Sequence, residues 1–400
     1  MQTSLNISPA EFAARAERLR EHLIAEGLSG VVLFDRYYIL YQADFAFIPT
    51  ERPMAFVMNA QGEKALFVPR LELEHAQANA LIDRVVHYQE YPHDPHPMTI
   101  LQGLLDDLGV GAEGAGIGAD SDGYPWIMGY RGPSLSELTG SPVKSVITFI
   151  EEGMARKSEA ELKLIQESVR WGHLAHALLQ RYTKVGLSET EVTSRANAEA
   201  TQAMLDTIGP LYRAQSFTAA GAQAGYRGQI GRNAAIPHAL ANNIIFQPGD
   251  VLVTGAGVPV WGYHSELERT MIIGPVNEEQ VYLFNHMLAL QDTALEAMKP
   301  GVSCAEVDQA VRIYYEKYGL RNYWKHHSGH AIGLRYHEGP FLDIGDKTIL
   351  QPGMVFTVEP GLYSPQLGGF RHSDTVAITE DGIEIMTYYP RDLASLTIQP

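Results

Sequence analysis

The side chains best suited to chemistry lie in three stretches of the C-terminal half. His238 precedes Glu266 and Glu268 of SELERT, His330 lies in HHSGHAIG, and Glu359 lies in VEPGLY. Residues two apart on a strand point to the same side, so Glu266 and Glu268 are predicted to face one cleft. Paired carboxylates with histidines nearby are typical of general acid–base catalysis. Close like charges would also raise the pKa of one carboxyl group.

Strands are the elements predicted to hold these groups, because apolar, β-prone runs precede them. Two of the runs resemble each other: FQPGDVLVTGAG (246–257) and LQPGMVFTVEPG (350–361). The shared register is an offset of 104 residues and places Gly255 opposite Glu359. The repeat predicts a pseudo-symmetric sheet covered by helices, with the site between its halves.

Helix starts are marked by capping boxes, in which a Ser is followed three residues later by Glu. They occur at Ser158, Ser188 and Ser303, and Asn277 precedes a further predicted helix at about 278–298. Before these, alternating helix and strand patterns predict a separate α/β domain with a mixed sheet. The break near residues 151–156 predicts two domains, 1–152 and 156–400.

Composition excludes several classes of protein. The net charge of −17 argues against nucleic acid and anionic membrane surfaces as partners. Cys304 is the one cysteine, which rules out an internal disulfide and a Cys-rich metal site. No apolar run reaches the ~20 residues of a membrane span, and the N-terminus lacks the apolar segment of a signal peptide. We therefore predict a cytoplasmic location.

Four motifs carry a family resemblance: GRNAAIPHA, HHSGHAIG, VEPGLY and GFRHSD. In this order they resemble the pita-bread family of methionine aminopeptidases, prolidases, aminopeptidases P and creatinases. The implied fold is α+β, with a C-terminal pita-bread domain at 156–400 preceded by a smaller α/β creatinase-type N-terminal domain at 1–152. Two-domain members of the family are commonly dimers, so the resemblance also implies a homodimer.

The metal ligands of the family are only partly present. Its metallopeptidases use two Asp, one His and two Glu, and the resemblance assigns His330, Glu359 and Glu266 to three of these positions. The other two positions fall on Gly255 and Ser373. A two-metal cluster needs bridging carboxylates to balance its charge. We therefore predict no catalytic metal and no cofactor, with a single ion on Glu266, His330 and Glu359 left open.

The run WGYHSELERT resembles bacterial ectoine hydrolases. This resemblance implies a metal-independent hydrolase that opens the cyclic amidine ring of ectoine to N-acetyl-2,4-diaminobutyrate. Glu266 would act as nucleophile or general base, and His238 and His330 would transfer protons. Glu268 and Glu359 would pair with the N–H groups of the amidine.

The remaining predicted site residues would surround a small zwitterionic substrate. Aromatic side chains suit the cationic ring of such a substrate. The substrate carboxylate needs a cation, and Arg335, Arg371 and a residue of a partner subunit all stay open for that role. The predicted substrate-binding set beyond Glu268 is Trp261, Tyr263, Tyr323, Trp324, His337, Arg335 and Arg371.

Two other functions stay open at this point. One is a metal-dependent Xaa-Pro peptidase, or a lyase, of the same fold, and the other is a catalytically inactive binding module. The sequence does not decide whether hydroxyectoine is a substrate or whether a downstream deacetylase binds.

Overall fold

The computed structural model describes residues 4–124 and 132–400, which form two compact units. One unit is Ile7–Met154, and the other is Ala155–Pro400 together with the N-terminal residues up to Asn6. Among the described residues, no helix combines the length and apolar character needed to cross a bilayer.

The N-terminal unit is built on a six-stranded mixed sheet with the order β4-β3-β2-β1-β5-β6. Strands β1, β2 and β3 pair antiparallel, whereas β4, β5 and β6 join in parallel. The mixed sheet agrees with the prediction. In chain order the elements are α1 Pro9–Ala25, β1 Leu28–Leu33, α2 Arg36–Ala43, β2 Ala55–Asn59, β3 Lys64–Pro69, α3 Leu73–Asn79, β4 Arg84–Tyr88, α4 Pro97–Leu108, β5 Gly116–Ala119, α5 Leu135–Thr139, β6 Val143–Ser145 and α6 Ile147–Ala155.

The core of this unit lies under helix α4. Leu101, Leu104, Leu105 and Leu108 recur at helical spacing, so one face of α4 is apolar. That face is buried with side chains of the central strands, including Val57. Burying such a leucine is worth roughly 2 kcal/mol relative to leaving it in water.

Four helices of the C-terminal unit begin at capping boxes. The N-cap side chains are Ser158, Ser188, Asn277 and Ser303, and each accepts a hydrogen bond from the backbone N–H three residues on. The side chain of that third residue binds the N-cap N–H in return, so two otherwise unpaired donors are satisfied. The helices are α7 Glu159–Tyr182, α8 Glu189–Ile208, α9 Glu278–Ala297 and α10 Cys304–Lys317.

The strands of the C-terminal unit form several small sheets, with the orders β18-β10-β8, β12-β11-β13-β16-β17, β14-β15 and β7-β9. The two Gln-Pro-Gly turns of the repeat lead into β8 and β13, which belong to different sheets. The strands are β7 Gln223–Gly225, β8 Val251–Val253, β9 Gly255–Gly257, β10 Thr270–Ile273, β11 Gly329–Ala331, β12 Glu338–Leu342, β13 Val355–Val358, β14 Gly361–Ser364, β15 Gly368–Arg371, β16 Asp374–Ile378, β17 Ile383–Ile385 and β18 Thr397–Ile398.

Candidate active site

Glu266 and Glu268 lie on the segment that connects β9 to β10. Leu267, between them, pairs with Ala256, and Glu268 pairs with Ser373. This extended pairing turns both carboxylates to the same side, as the alternation of strand residues predicts. Both line a cavity of about 530 Å³. Because Glu268 pairs with Ser373, a segment from the C-terminal part of the chain lies next to the two carboxylates.

Glu266, His330 and Glu359 converge in one cluster. Each offers one ligand atom, and these atoms lie within 4.8 Å of one another. His330 Nε2 lies 3.2 Å from Glu359 Oε1. A protonated His330 would form an ion pair with Glu359 through this contact, and a neutral ring would present a lone pair there. A buried imidazole nitrogen and two carboxylates whose ligand atoms surround one point have the donor set of a metal site.

Each member of the cluster is held by its backbone and by hydroxyl groups. The N–H of Glu266 donates to Thr375 Oγ1, and that hydroxyl donates back to the carbonyl of Glu266. Ser373 Oγ donates to Glu266 Oε1 at 2.7 Å. The N–H of His330 donates to Thr357 Oγ1. These contacts hold the backbone of Glu266 and His330 and one carboxylate oxygen of Glu266 in place before any ligand arrives, as a functional site requires.

The imidazole of His330 is oriented by its other nitrogen. Nδ1 lies 3.0 Å from the carbonyl oxygen of Ala331, so Nδ1 carries a proton and donates it there. In the neutral ring the lone pair is then on Nε2 and faces Glu359.

The cluster perturbs the protonation of its own members. Burial, with Glu268 and Glu359 nearby, raises the pKa of Glu266 to about 7. Burial alone would raise the pKa of Glu359, but His330 and Arg371 hold it well below its usual range. Burial opposes a charge on His330 too, yet Glu359 and Glu266 outweigh it and raise the pKa of His330 to about 9. Charged groups thus stabilise one another inside a poorly solvated site.

Glu268 is engaged by two guanidinium groups. Arg371 donates from Nε at 2.5 Å and from Nη2 at 2.8 Å, and both side chains are buried. Arg227 adds a bond from its Nη2 to Oε1. Glu268 therefore has little capacity left for a substrate N–H, and Arg371 is already occupied. The two side chains bind each other, while Glu268 also lines the cavity, and their predicted roles as direct substrate ligands stay predictions.

Two further predicted histidines extend the site outward. The ring of His337 stacks on that of His330 with centroids 3.8 Å apart and an angle of 19° between planes. The exposed His238 lies beyond it, 6.4 Å from the ring of His337. Burial and the neighbouring His330 lower the pKa of His337 to about 4, so it is neutral at pH 7.

The predicted aromatic walls lie elsewhere. Tyr263 is buried and its hydroxyl donates to Glu161 of α7, so it is a core residue and not a substrate contact. Trp324 lies against the guanidinium groups of Arg312 and Arg321, at 5.0 and 4.7 Å from its ring.

The backbone N–H of Trp261 donates to the carbonyl of Arg213, and that of Arg335 donates to the side chain of Glu338. Tyr323 ends a short 3₁₀ turn. The aromatic residues that line the cavity are Tyr226 and Tyr336, which were not predicted.

Two family models match the chain. Residues 163–380 match the metallopeptidase family M24, and residues 15–131 match the creatinase/prolidase N-terminal domain. The chain belongs to metallopeptidase family M24. It is accordingly a hydrolase-family protein with the fold that the motifs predicted, a creatinase-type N-terminal domain followed by a pita-bread domain.

Curated relatives and solved structures cover most of the chain. The Xaa-Pro dipeptidase of Pyrococcus furiosus is 29% identical over 363 residues, which are 90% of this chain and 95% of the relative. That of Pyrococcus horikoshii is 34% identical over 251 residues, 62% of this chain and 67% of the relative. The crystal structure of dipeptidase PepE from Mycobacterium ulcerans superposes with a TM-score of 0.80 at 25% identity, covering 99% of this chain and 100% of that one.

These relatives contradict the predicted activity. Two of the relatives that match most of this chain are named Xaa-Pro dipeptidases. The prediction of a metal-independent opening of a cyclic amidine is therefore wrong, and the alternative of a metal-dependent Xaa-Pro peptidase fits better. Ectoine, hydroxyectoine and a deacetylase partner were inferred from that activity and lose their support with it.

The residues present fit one metal ion better than two. Glu266, His330 and Glu359 supply an imidazole nitrogen and two carboxylates, a donor set that suits Zn²⁺, Mn²⁺ or Fe²⁺. Gly255 has no side chain to offer, and the hydroxyl of Ser373 is occupied by Glu266. The prediction of no catalytic metal rested on the two lost ligands, and the three that remain could still hold one ion.

Proposed function

We propose that this M24 protein hydrolyses the amide bond of small peptides of the Xaa-Pro kind, with one divalent metal ion bound by Glu266, His330 and Glu359. The observation that carries this proposal is the convergence of the buried Nε2 of His330 with two carboxylates, whose ligand atoms lie within 4.8 Å of one another. The names of the relatives, which are Xaa-Pro dipeptidases, support the substrate class. An ion held there would polarise the scissile carbonyl group and lower the pKa of a bound water.

The residues of the chain supply the rest of the site. Glu266 is fixed by Ser373, so its second oxygen is free to bind a ligand or to accept a proton from attacking water. The Glu268–Arg371 pair forms a rigid wall next to it. His337 and His238 lead from the cluster to the surface and can carry a proton to the departing amine.

The cavity also limits the size of the substrate. A volume of about 530 Å³ suits a dipeptide and not a folded protein. Its lining includes residues of α8, β7 and β9, together with Glu266 and Glu268 of the segment between β9 and β10.

The test uses chelator-treated protein and dipeptides that end in proline, with proline release as the readout. We expect no release without metal and recovery with Mn²⁺, Co²⁺ or Zn²⁺, with about one ion bound per chain by elemental analysis. Glu359→Gln should lower both metal content and activity, while Glu384→Gln, on an exposed strand, should change neither. Full activity without metal, or no release from any dipeptide, would overturn the proposal.

We also propose a homodimer, on the precedent of two-domain proteins of this fold. Light scattering after size exclusion should give twice the chain mass of 44.2 kDa. A mass equal to that of one chain would refute it. The cytoplasmic location stays a prediction.

A further inference from the structure

Arg227 is a cation in the cavity that sequence reasoning missed. Its side chain is 49% exposed and lines the cavity together with Gly255, Glu266 and Glu268. Arg371, the other partner of Glu268, is 4% exposed. Of the two guanidinium groups that bind Glu268, that of Arg371 is thus buried and that of Arg227 is accessible to a ligand.

Glu268 does not need Arg227 for its charge balance. Arg371 already binds both of its oxygens in a bidentate pair, the strongest form of this contact. Among the described residues, Arg227 donates hydrogen bonds from Nη2 alone, to Glu268 and to Gln229. Within the part of the chain that the structure describes, Nε and Nη1 have no hydrogen-bond acceptor, so these donors can bind an incoming group.

Gly255 makes room for this guanidinium. A Cβ atom added at Gly255 would lie 3.8 Å from both Cζ and Nη2 of Arg227 and 3.5 Å from Glu268 Oε1. An aspartate, which the family has at this position, would extend its carboxylate into that space. The chain therefore has no negative group at this position, and the positive group of Arg227 lies in contact with the same spot.

The backbone holds Arg227 in a defined turn. The N–H of Gln229 donates to the carbonyl of Tyr226 at 2.8 Å, and the N–H of Gly228 donates to Glu189. Arg227 itself has a φ of 51°, in the left-handed region that few non-glycine residues adopt. Such conformations persist where surrounding contacts impose them, and they cluster at functional sites.

We propose that Arg227 binds a carboxylate of the substrate and selects anionic substrates. This assignment rests on the proposed function for the reaction itself. A guanidinium group forms two parallel hydrogen bonds to a carboxylate, whereas it repels an ammonium group. The site thus favours a peptide-like molecule with a carboxylate at this end of the cavity and rejects one with a free amine there.

Binding of succinate, with its neutral diamide succinamide as the matched ligand, tests the assignment without any turnover. Titration calorimetry uses chelator-treated protein, so that the carboxylate cannot bind a metal ion. We expect succinate to bind at least ten-fold more weakly to Arg227→Gln than to the wild type, with Arg227→Lys between them. Arg232→Gln, an exposed arginine nearby, should bind as the wild type does. Equal succinate affinity in the wild type and Arg227→Gln would overturn the assignment.

Hydrolysis of matched peptides locates the carboxylate. The pairs are Glu-Pro with Gln-Pro, and Ala-Pro with Ala-Pro-amide. In the wild type, the charged member of at least one pair should have the higher kcat/KM, and Arg227→Gln should reduce that preference about ten-fold. An unchanged preference in both pairs overturns the role. If no peptide is cleaved at all, the proposed reaction fails, and the succinate titration still decides the role of Arg227.

Discussion

Asp120 in the N-terminal unit and Glu266 in the C-terminal unit are both largely buried carboxyl groups. Burial raises the pKa of Asp120 to about 6 and that of Glu266 to about 7. Their partners differ: Asp120 accepts hydrogen bonds from the backbone N–H groups of Phe34 and Asp35. Glu266 accepts one bond, from Ser373, and faces other titratable side chains. A raised pKa alone therefore does not mark a site, and the kind of neighbour distinguishes the two groups.

The largest effect is expected from removing one of the titratable neighbours of Glu266. His330→Ala removes the imidazole from the cluster and should lower peptidase activity about a thousand-fold or more, since the proposed ion loses its nitrogen ligand. Metal content should fall with it. His327→Ala, in the same stretch but 4.0 Å from Asp343 and outside the cluster, is the control. Retained activity in His330→Ala would mean that the cluster is not the site.

The matching change in the N-terminal unit should act on stability instead. Asp120→Ala leaves two backbone N–H groups without their acceptor, which costs about 2–4 kcal/mol of unfolding free energy. Denaturant unfolding measures the loss, and kcat/KM per folded molecule should stay within about two-fold. A large drop in kcat/KM with unchanged stability would mean that Asp120 has a functional role, and the proposed difference between Asp120 and Glu266 would be wrong.

The raised pKa of Glu266 predicts a pH dependence of stability. The folded state binds this proton more tightly than the unfolded state, whose pKa is near 4.5, so stability falls as pH rises through the interval up to about 7. Glu266→Gln has no ionisable group at this position, so its stability should not fall with rising pH in this way. In chelator-treated protein it should be more stable than the wild type by up to about 3 kcal/mol at pH 8, and by much less at pH 5. A stability difference between Glu266→Gln and the wild type that is the same at pH 5 and pH 8 would contradict the raised pKa of Glu266.

The smallest expected effect comes from the one hydroxyl on Glu266. The bond from Ser373 lowers the pKa of Glu266, so Ser373→Ala should raise it further. The pH profile of peptide hydrolysis should move to higher pH, with a loss of about three-fold at pH 7 and little at pH 9. Ser364→Ala, a buried hydroxyl in β14, serves as the control.

Local signals in the sequence predicted much of the fold. Capping boxes at Ser158, Ser188 and Ser303 predicted helix starts, because both hydrogen bonds of the box form between residues three apart. Helix α2 has no clear apolar stripe. Its N-terminus is fixed by the side chain of Asp35, and six of its eight residues are buried. A helix that is buried on most sides gives no periodic pattern to read.

The site was predictable only in part, for a related reason. Glu266, His330 and Glu359 stand out by residue type and do converge. The pairing of Glu268 with Arg371 joins residues 103 positions apart, so no local pattern reveals it. The sequence marks Gly255 as a missing ligand but does not show that Arg227 occupies the space beside it.

The segment that carries Glu266 and Glu268 binds a segment near the C-terminus that includes Ser373 and Thr375, and this affects how the site forms. Glu266 and Thr375 are 109 residues apart, and Glu268 and Ser373 exchange backbone hydrogen bonds across a similar span. Contacts this distant in sequence require the entropy of loop closure to be overcome first, and they form slowly. The pocket should therefore be among the last features to assemble on the folding pathway. A nascent chain still lacking its final strands would not have formed the proposed metal site, so binding of the proposed ion would be restricted to molecules that have finished folding.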